Sequence, residues 1–201
     1  GRATQPKEKA DMTGIDKATI GRLLREEVEI VPYRSEWQTM FTDEEERLRS
    51  MLPRDLIGRI EHFGSTAVPG LDAKPIIDML VEVNDLVATR RRIMPILLDA
   101  DYDYIWRPTH GEDGPPWYAW FIKRDSLTGA RTHHIHMVEP DFEHWDRLAF
   151  RDYLRTHSVV AGEYATLKHR LAAEHRRDRA AYTDGKAAFV QRITEEALRN
   201  V

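Results

Sequence analysis

One carboxylate stands in a run that otherwise reads as core. In residues 75–83, PIIDMLVEV, the side chains of an extended chain alternate between faces. Asp78, Leu80 and Glu82 therefore share one side, and Ile77, Met79, Val81 and Val83 share the other. A charge among apolar neighbours is costly unless it is paired, hydrogen-bonded or bound to a metal, so Asp78 needs a partner. Two kinds are open. Backbone N–H groups of a neighbouring loop would make Asp78 a cap; a divalent cation such as Mg2+ or Mn2+ would make it a ligand, since such ions take hard oxygen donors beside a phosphate.

Gly64 and Ser65 precede it by a short loop. With no side chain at Gly64, backbone amides can approach an anion closely and the Ser65 hydroxyl adds a donor, although a Gly-Ser pair alone is commonly just a turn. Lys74, pushed to extended backbone by Pro75, is either a phosphate contact or a solvated loop lysine. The second unusual run is RTHHIHMVE, in which His134 and His136 alternate to one side with Thr132, and Ile135 and Met137 to the other with His133. Imidazoles at i and i+2 can converge on a metal or a phosphoryl oxygen and suit acid/base work near neutral pH; the competing reading is a polar outer face. His133 and Arg131 alongside favour function. The candidate catalytic groups are Asp78, His134 and His136, with Asp78 and His136 as metal ligands. Gly64, Ser65, Lys74, Arg131 and Lys168 form the phosphate- or nucleotide-binding set. Lys168 belongs because it follows Tyr164 by one helical turn, where a lysine over a pocket can reach an anion; exposed lysine is the commoner alternative.

Strands and helices must bring these groups together. Residues 57–63 and 75–83 read as strands, the second apolar enough to lie inside a sheet covered on both faces. YDYIWR, WYAWFIKR and HHIHMV read as three more. In SEWQTMFTDEEERLRSML, Ser35 and Gln38 are spaced as a capping box ahead of an amphipathic helix. Residues 85–100 have helical period with Pro95 as a kink. The remainder is helical: 143–156, 159–175 and a last helix after Thr183-Asp184. Trp106, Trp117, Tyr118, Trp120 and Phe121 lack basic interleaving and read as sheet core and rim, not as a base-stacking platform. The order argues α+β: a mixed β-sheet with flanking helices and a C-terminal helical segment, residues 28–201, behind a flexible leader at 1–27.

Composition narrows the classes. At 41% hydrophobic and 32% charged residues the chain reads as a soluble domain, and no apolar run approaches the ~20 residues that span a bilayer. The absence of cysteine excludes disulfides and thiolate metal sites and fits a cytoplasmic location. With 30 basic against 34 acidic side chains there is no footprint for general nucleic-acid binding, while a local basic pocket can still grip a phosphate on a small molecule or nucleotide.

The segment HFGSTAVPGLDAKPIIDM, the opening VEIVPYRSEW, the HHIHMV strand and the tail fragments FRDYLRTH, EYATLKHRLA and YTDGKAAFVQRI together resemble the GrpB family over residues 28–197. The resemblance implies the fold of the DNA polymerase beta-like nucleotidyltransferase superfamily. There a Gly-Ser at one strand end precedes a strand with two carboxylates at alternate positions, which hold metal and nucleotide phosphates. Gly64 and Ser65 would be the phosphate-binding turn and Asp78 the first carboxylate. Leu80 occupies the second position, and Glu82 stands about 6–7 Å further along the strand. The resemblance thus implies metal-dependent (Mg2+ or Mn2+) transfer of a nucleotidyl or phosphoryl group to a small molecule. The alternative is a non-catalytic nucleotide- or anion-binding module on the same fold, which Leu80 favours. A histidine phosphoesterase ranks last, because the third histidine of a His-apolar-His-apolar-His strand is replaced by Val138.

Overall fold

The computed structural model describes residues 26–108 and 117–201. Five strands, β1 (Ile57–Phe63), β2 (Ile77–Val83), β3 (Asp103–Pro108), β4 (Trp117–Arg124) and β5 (Arg131–Val138), form one mixed sheet in the order β1-β2-β5-β4-β3. β2 and β5 run parallel, and the other neighbours are antiparallel. β2 is therefore internal, as its apolar run requires. Ile77, Met79, Val81 and Val83 are fully buried on one face, each side chain contributing roughly 1.5–3 kcal/mol relative to exposure.

That face is covered by α1 (Glu36–Met51), through Trp37 and Leu48, and by Ile93 and Leu97 from the segment after β2. The expected Ser35–Gln38 capping box does not form. Ser35 already has helical dihedrals, and its side chain makes no cap bond, because a capping hydroxyl reaches the first amides only from an extended residue. After β2, Asp85 does cap, accepting from the N–H groups of Val87 (2.6 Å) and Ala88 (3.0 Å). It opens α2 (Leu86–Ala88), which widens into a π-helical turn (Thr89–Ile93) before α3 (Met94–Asp99). The wide turn directly precedes Pro95, whose ring lacks an N–H and would crowd the carbonyl four residues back.

The tail makes a 3-10 turn (Glu143–Asp146), α4 (Arg147–Thr156), α5 (Ser158–Glu174) and α6 (Arg179–Arg199). These helices pack over the loop between β1 and β2: Val68 and Leu71 share a core with Phe150, Leu154, Tyr164 and Ile193. α6 starts earlier than the Thr183-Asp184 pair suggests. Asp178, whose dihedrals are not yet helical and whose side chain accepts from the Ala181 N–H at 3.0 Å, is the cap, which leaves Thr183 and Asp184 on the exposed side of a helix already under way. Residues 1–25 of the expected leader lie outside the described residues. Its last two are tied down, Glu26 to Arg124 and Arg131, and Glu27 to Arg176 and Arg177. Among the described residues no helix is long and apolar enough to cross a membrane.

Candidate functional site

The site begins where β1 ends. Phe63 pairs with Asp78 across the sheet, and the next residue, Gly64, turns the chain with φ +73°, a conformation that L side chains rarely adopt. A Cβ there would collide with Asp78 Oδ2, so only glycine lets the turn close over the carboxylate. Ser65–Ala67 then makes one 3-10 turn, pinned by a 2.9 Å contact between His62 Nε2 and Thr66 Oγ1.

Asp78 and His134 are register partners on the parallel strands β2 and β5. His134 Nδ1 stands 3.6 Å from Asp78 Oδ1, and its Nε2 stands 3.3 Å from an Arg131 guanidinium nitrogen. Arginine only donates, so Nε2 carries the lone pair and the proton sits on Nδ1, facing Asp78. Burial drives the His134 pKa down to about 4 against the pull of Asp78, so the ring is neutral at pH 7. Burial would raise the Asp78 pKa, but the contact with His134, which is itself charged in the acid range where Asp78 titrates, and the charges of Lys74 and Lys186 outweigh it and hold the carboxyl below its ordinary range. The Asp78 side chain nevertheless keeps 30% of its exposure, which places it on the floor of an opening rather than in closed core.

Three lysines face this floor. Lys74 is set by the loop before β2, which Ala73 anchors through paired backbone bonds to Val31 (2.9 and 3.0 Å). Lys168 on α5 is 1% exposed, donates to the Asp72 carbonyl and lies 4.7 Å from the Tyr164 ring centre. Lys186 on α6 lies 4.7 Å from the Tyr182 ring, whose centre is 5.1 Å from the Lys74 amine. Burial lowers all three amines: Lys168 to about 7 and Lys186 to about 8, with Lys186 adding to the shift of Lys168 and Asp78 opposing both, and Lys74 well below its ordinary value. The Tyr164 hydroxyl bonds the Ser65 side chain, which joins the turn to α5. The Tyr182 hydroxyl is buried with no hydrogen-bond partner among the described residues. Beside Lys74 a groove of about 320 Å³ opens, also lined by Arg131, Arg179 and Glu26.

Gly64, Ser65, Lys74, Asp78, His134 and Lys168 therefore surround one place. Arg131 flanks it, with its Nε donating to Glu26 at 2.6 Å, another guanidinium nitrogen 3.3 Å from His134 and its charge bearing on Lys74. His136 stands apart: it pairs with Leu80, and its ring packs among Phe63, Tyr118, Trp120 and His144. Asp78 and His136 are thus offset by two residues along neighbouring strands, on the same face. The next position on the Asp78 face is the buried Leu80, and Glu82 beyond it is paired with Arg59 at 2.9 Å. Among the described residues no group of three or more His, Asp and Glu side chains gathers to hold a metal ion, and the charges nearest Asp78 are ammoniums.

Tyr182 is the member that sequence reasoning missed, and Lys186, read as the opening of the last helix and as an exposed lysine by default, was left out of the binding set. The signal was present: EYATLK and AYTDGK both place tyrosine and lysine four residues apart, one helical turn, on two helices that pack together. Placing the helix start at Thr183-Asp184 hid the second pair. Gly185, between its members, lets α6 press on α5, as a Cβ there would stand 2.5 Å from Leu171 Cδ2.

The sequence pattern of the family described as GrpB protein matches residues 27–196. YqkA from Bacillus subtilis is 38% identical over 191 residues, 91% of this chain and 53% of that protein, so the chain spans about half the length of this relative. A glutamate-rich protein GrpB from Alkalihalophilus pseudofirmus is 36% identical over 85% of this chain and 95% of its own. The crystal structure of conserved protein GrpB from Enterococcus faecalis superposes with a TM-score of 0.71 at 33% identity, covering 86% of this chain and 98% of that one. The mixed sheet with flanking helices of this chain is nucleotidyltransferase-like in fold, and the chain belongs to the GrpB family.

Proposed function

We propose that the chain binds a nucleotide or a related phosphorylated small molecule between the Gly64-Ser65 turn, β2 and the tyrosine-lysine faces of α5 and α6, and transfers its nucleotidyl or phosphoryl group to a second small molecule. One observation carries the reading: Lys74, Lys168 and Lys186 converge on a place whose floor offers one carboxylate, Asp78, with Asp72 at its rim already held by His169. Buried cations without matching anions are costly, and a phosphate chain supplies the missing charge through charge-assisted hydrogen bonds. Asp78 adds nothing to anion affinity, so its presence argues for chemistry. Ionised and oriented by the His134 N–H, it can accept the proton of an acceptor hydroxyl. The acceptor oxygen then bonds to phosphorus, the bond from phosphorus to the bridging oxygen breaks, and the leaving phosphate departs with its charge among the lysines.

Leu80 at the second carboxylate position favours a second reading, binding without turnover. A thermal-shift screen of nucleotides and phosphorylated metabolites tests the shared part: a ligand at a hundredfold excess over Kd should stabilise the native state by about 2.7 kcal/mol. No shift with any phosphorylated compound would overturn both readings. With a ligand found, Asp78→Asn divides them: turnover lost with binding retained supports transfer, whereas wild-type protein that binds but never releases product supports the binder.

A further inference from the structure

Phosphoryl chemistry with two divalent cations needs carboxylates on both sides of the reacting phosphate, and magnesium demands a near-octahedral set of oxygens. The Asp78 face offers one carboxylate, then buried Leu80, then Glu82 held by Arg59. What surrounds Asp78 is cationic. The Lys74 and Lys186 amines stand at 5.1 and 4.7 Å from the same Tyr182 ring, and the Lys168 amine at 4.7 Å from Tyr164. Further charges bear on the place from its rim and flank: Arg147 on α4, Arg179 on α6, Asp72 beside Lys168, and Arg131 beside His134 and Lys74. A separate observation points to a ligand. The Tyr182 hydroxyl is 1% exposed at the residue level and has no hydrogen-bond partner among the described residues, which is costly for a hydroxyl unless something polar arrives.

We infer that Lys74, Lys168 and Lys186 take the place of the divalent cations, so that the pocket holds a chain of two or more phosphates directly on ammonium groups, with the Tyr182 and Ser65 hydroxyls as neutral donors, and does so without metal. This rests on the reading above that the pocket takes a phosphorylated ligand. Charge balance sets the ligand class. Against Asp78 on the floor and Asp72 at the rim, the three lysines with Arg147 and Arg179 match a pyrophosphate or triphosphate better than a monophosphate, and a resident dication would stand among like charges.

Isothermal titration calorimetry of inorganic triphosphate against the full chain, once in EDTA and once in magnesium, tests it, with the same titration on Lys168→Met and Lys186→Met. The expected result is a dissociation constant in EDTA within threefold of that in magnesium, weakened at least tenfold by each lysine substitution, in proteins whose melting curves show them folded. Binding at least tenfold weaker in EDTA overturns the inference but leaves the phosphate pocket standing. Binding that neither substitution weakens places the anion elsewhere and overturns the inference. No binding in either buffer overturns the pocket as well.

Discussion

Lys168 is the residue at which burial and charge can be separated by pH. Its amine titrates near 7 in the fold against an ordinary value of 10.5, so between those limits the unfolded chain binds a proton that the native chain does not. The contribution of Lys168 to stability rises with pH in this window and is flat below it. Lys186 and Lys74 shift in the same direction and reinforce the trend. Scanning calorimetry of the ligand-free protein should therefore show a melting temperature that climbs from pH 7 to 9, with a shallower climb in Lys168→Met. Triphosphate affinity should fall over the same interval as ammoniums are lost. A melting temperature that declines steadily above pH 7 would contradict the burial argument. Gly64 gives a steric test at the same scale: in Gly64→Ala the new methyl must adopt positive φ, costing roughly 1–2 kcal/mol, and must displace Asp78. Chemical denaturation should report at least that loss, and phosphate-dependent stabilisation should disappear. Unchanged stability would remove Gly64 as the constraint on the turn.

At the scale of elements, β1, β4 and the C-terminal helices were legible because their signals are local. Seven residues of β1 alternate between turn chemistry at either end, and β4 coincides with the aromatic and β-branched run WYAWFIKR. Asp78 was legible as a charge out of place. The capping box at Ser35 misled because a side-chain spacing says nothing about the dihedrals of the capping residue. The start of α6 misled because three polar pairs, Arg177-Asp178, Thr183-Asp184 and Asp184-Gly185, compete in sequence, and only the packing of Tyr182 into the core decides among them. For His136, alternation gave the face of the side chain but not its position along the strand, which the register sets opposite Leu80. α6 also supplies a prediction. Asp178→Ala removes its cap and should lower stability by about 1 kcal/mol in urea denaturation with little effect on the pocket a full turn away. Gly185→Val, which wedges α6 off Leu171, should instead cost about 1–3 kcal/mol and weaken triphosphate binding, because it moves Lys186 relative to Lys168. Equal effects of the two on binding would show that helix position does not matter to the site.

Over the whole molecule the charges are nearly balanced, 30 basic to 34 acidic, yet the cations are gathered where three separate parts of the chain meet: the loop before β2, α5 and α6. The sheet fixes Asp78 and the turn, and the helical tail closes over them with its two tyrosine-lysine pairs. That division explains why the pocket could be only half read from sequence: the Gly-Ser turn and Asp78 lie within fifteen residues, while Lys168 and Lys186 reach them only through the packing of Val68 and Leu71 against the tail. The most direct test of the account is a crystal structure grown with inorganic triphosphate and manganese, read for phosphate density and for the anomalous signal of the metal. The account predicts a phosphate chain in contact with Lys74, Lys168, Lys186 and the Tyr182 hydroxyl, and no manganese on Asp78; a triphosphate bound elsewhere with this place left to solvent, or a manganese ion ligated by Asp78, would contradict it.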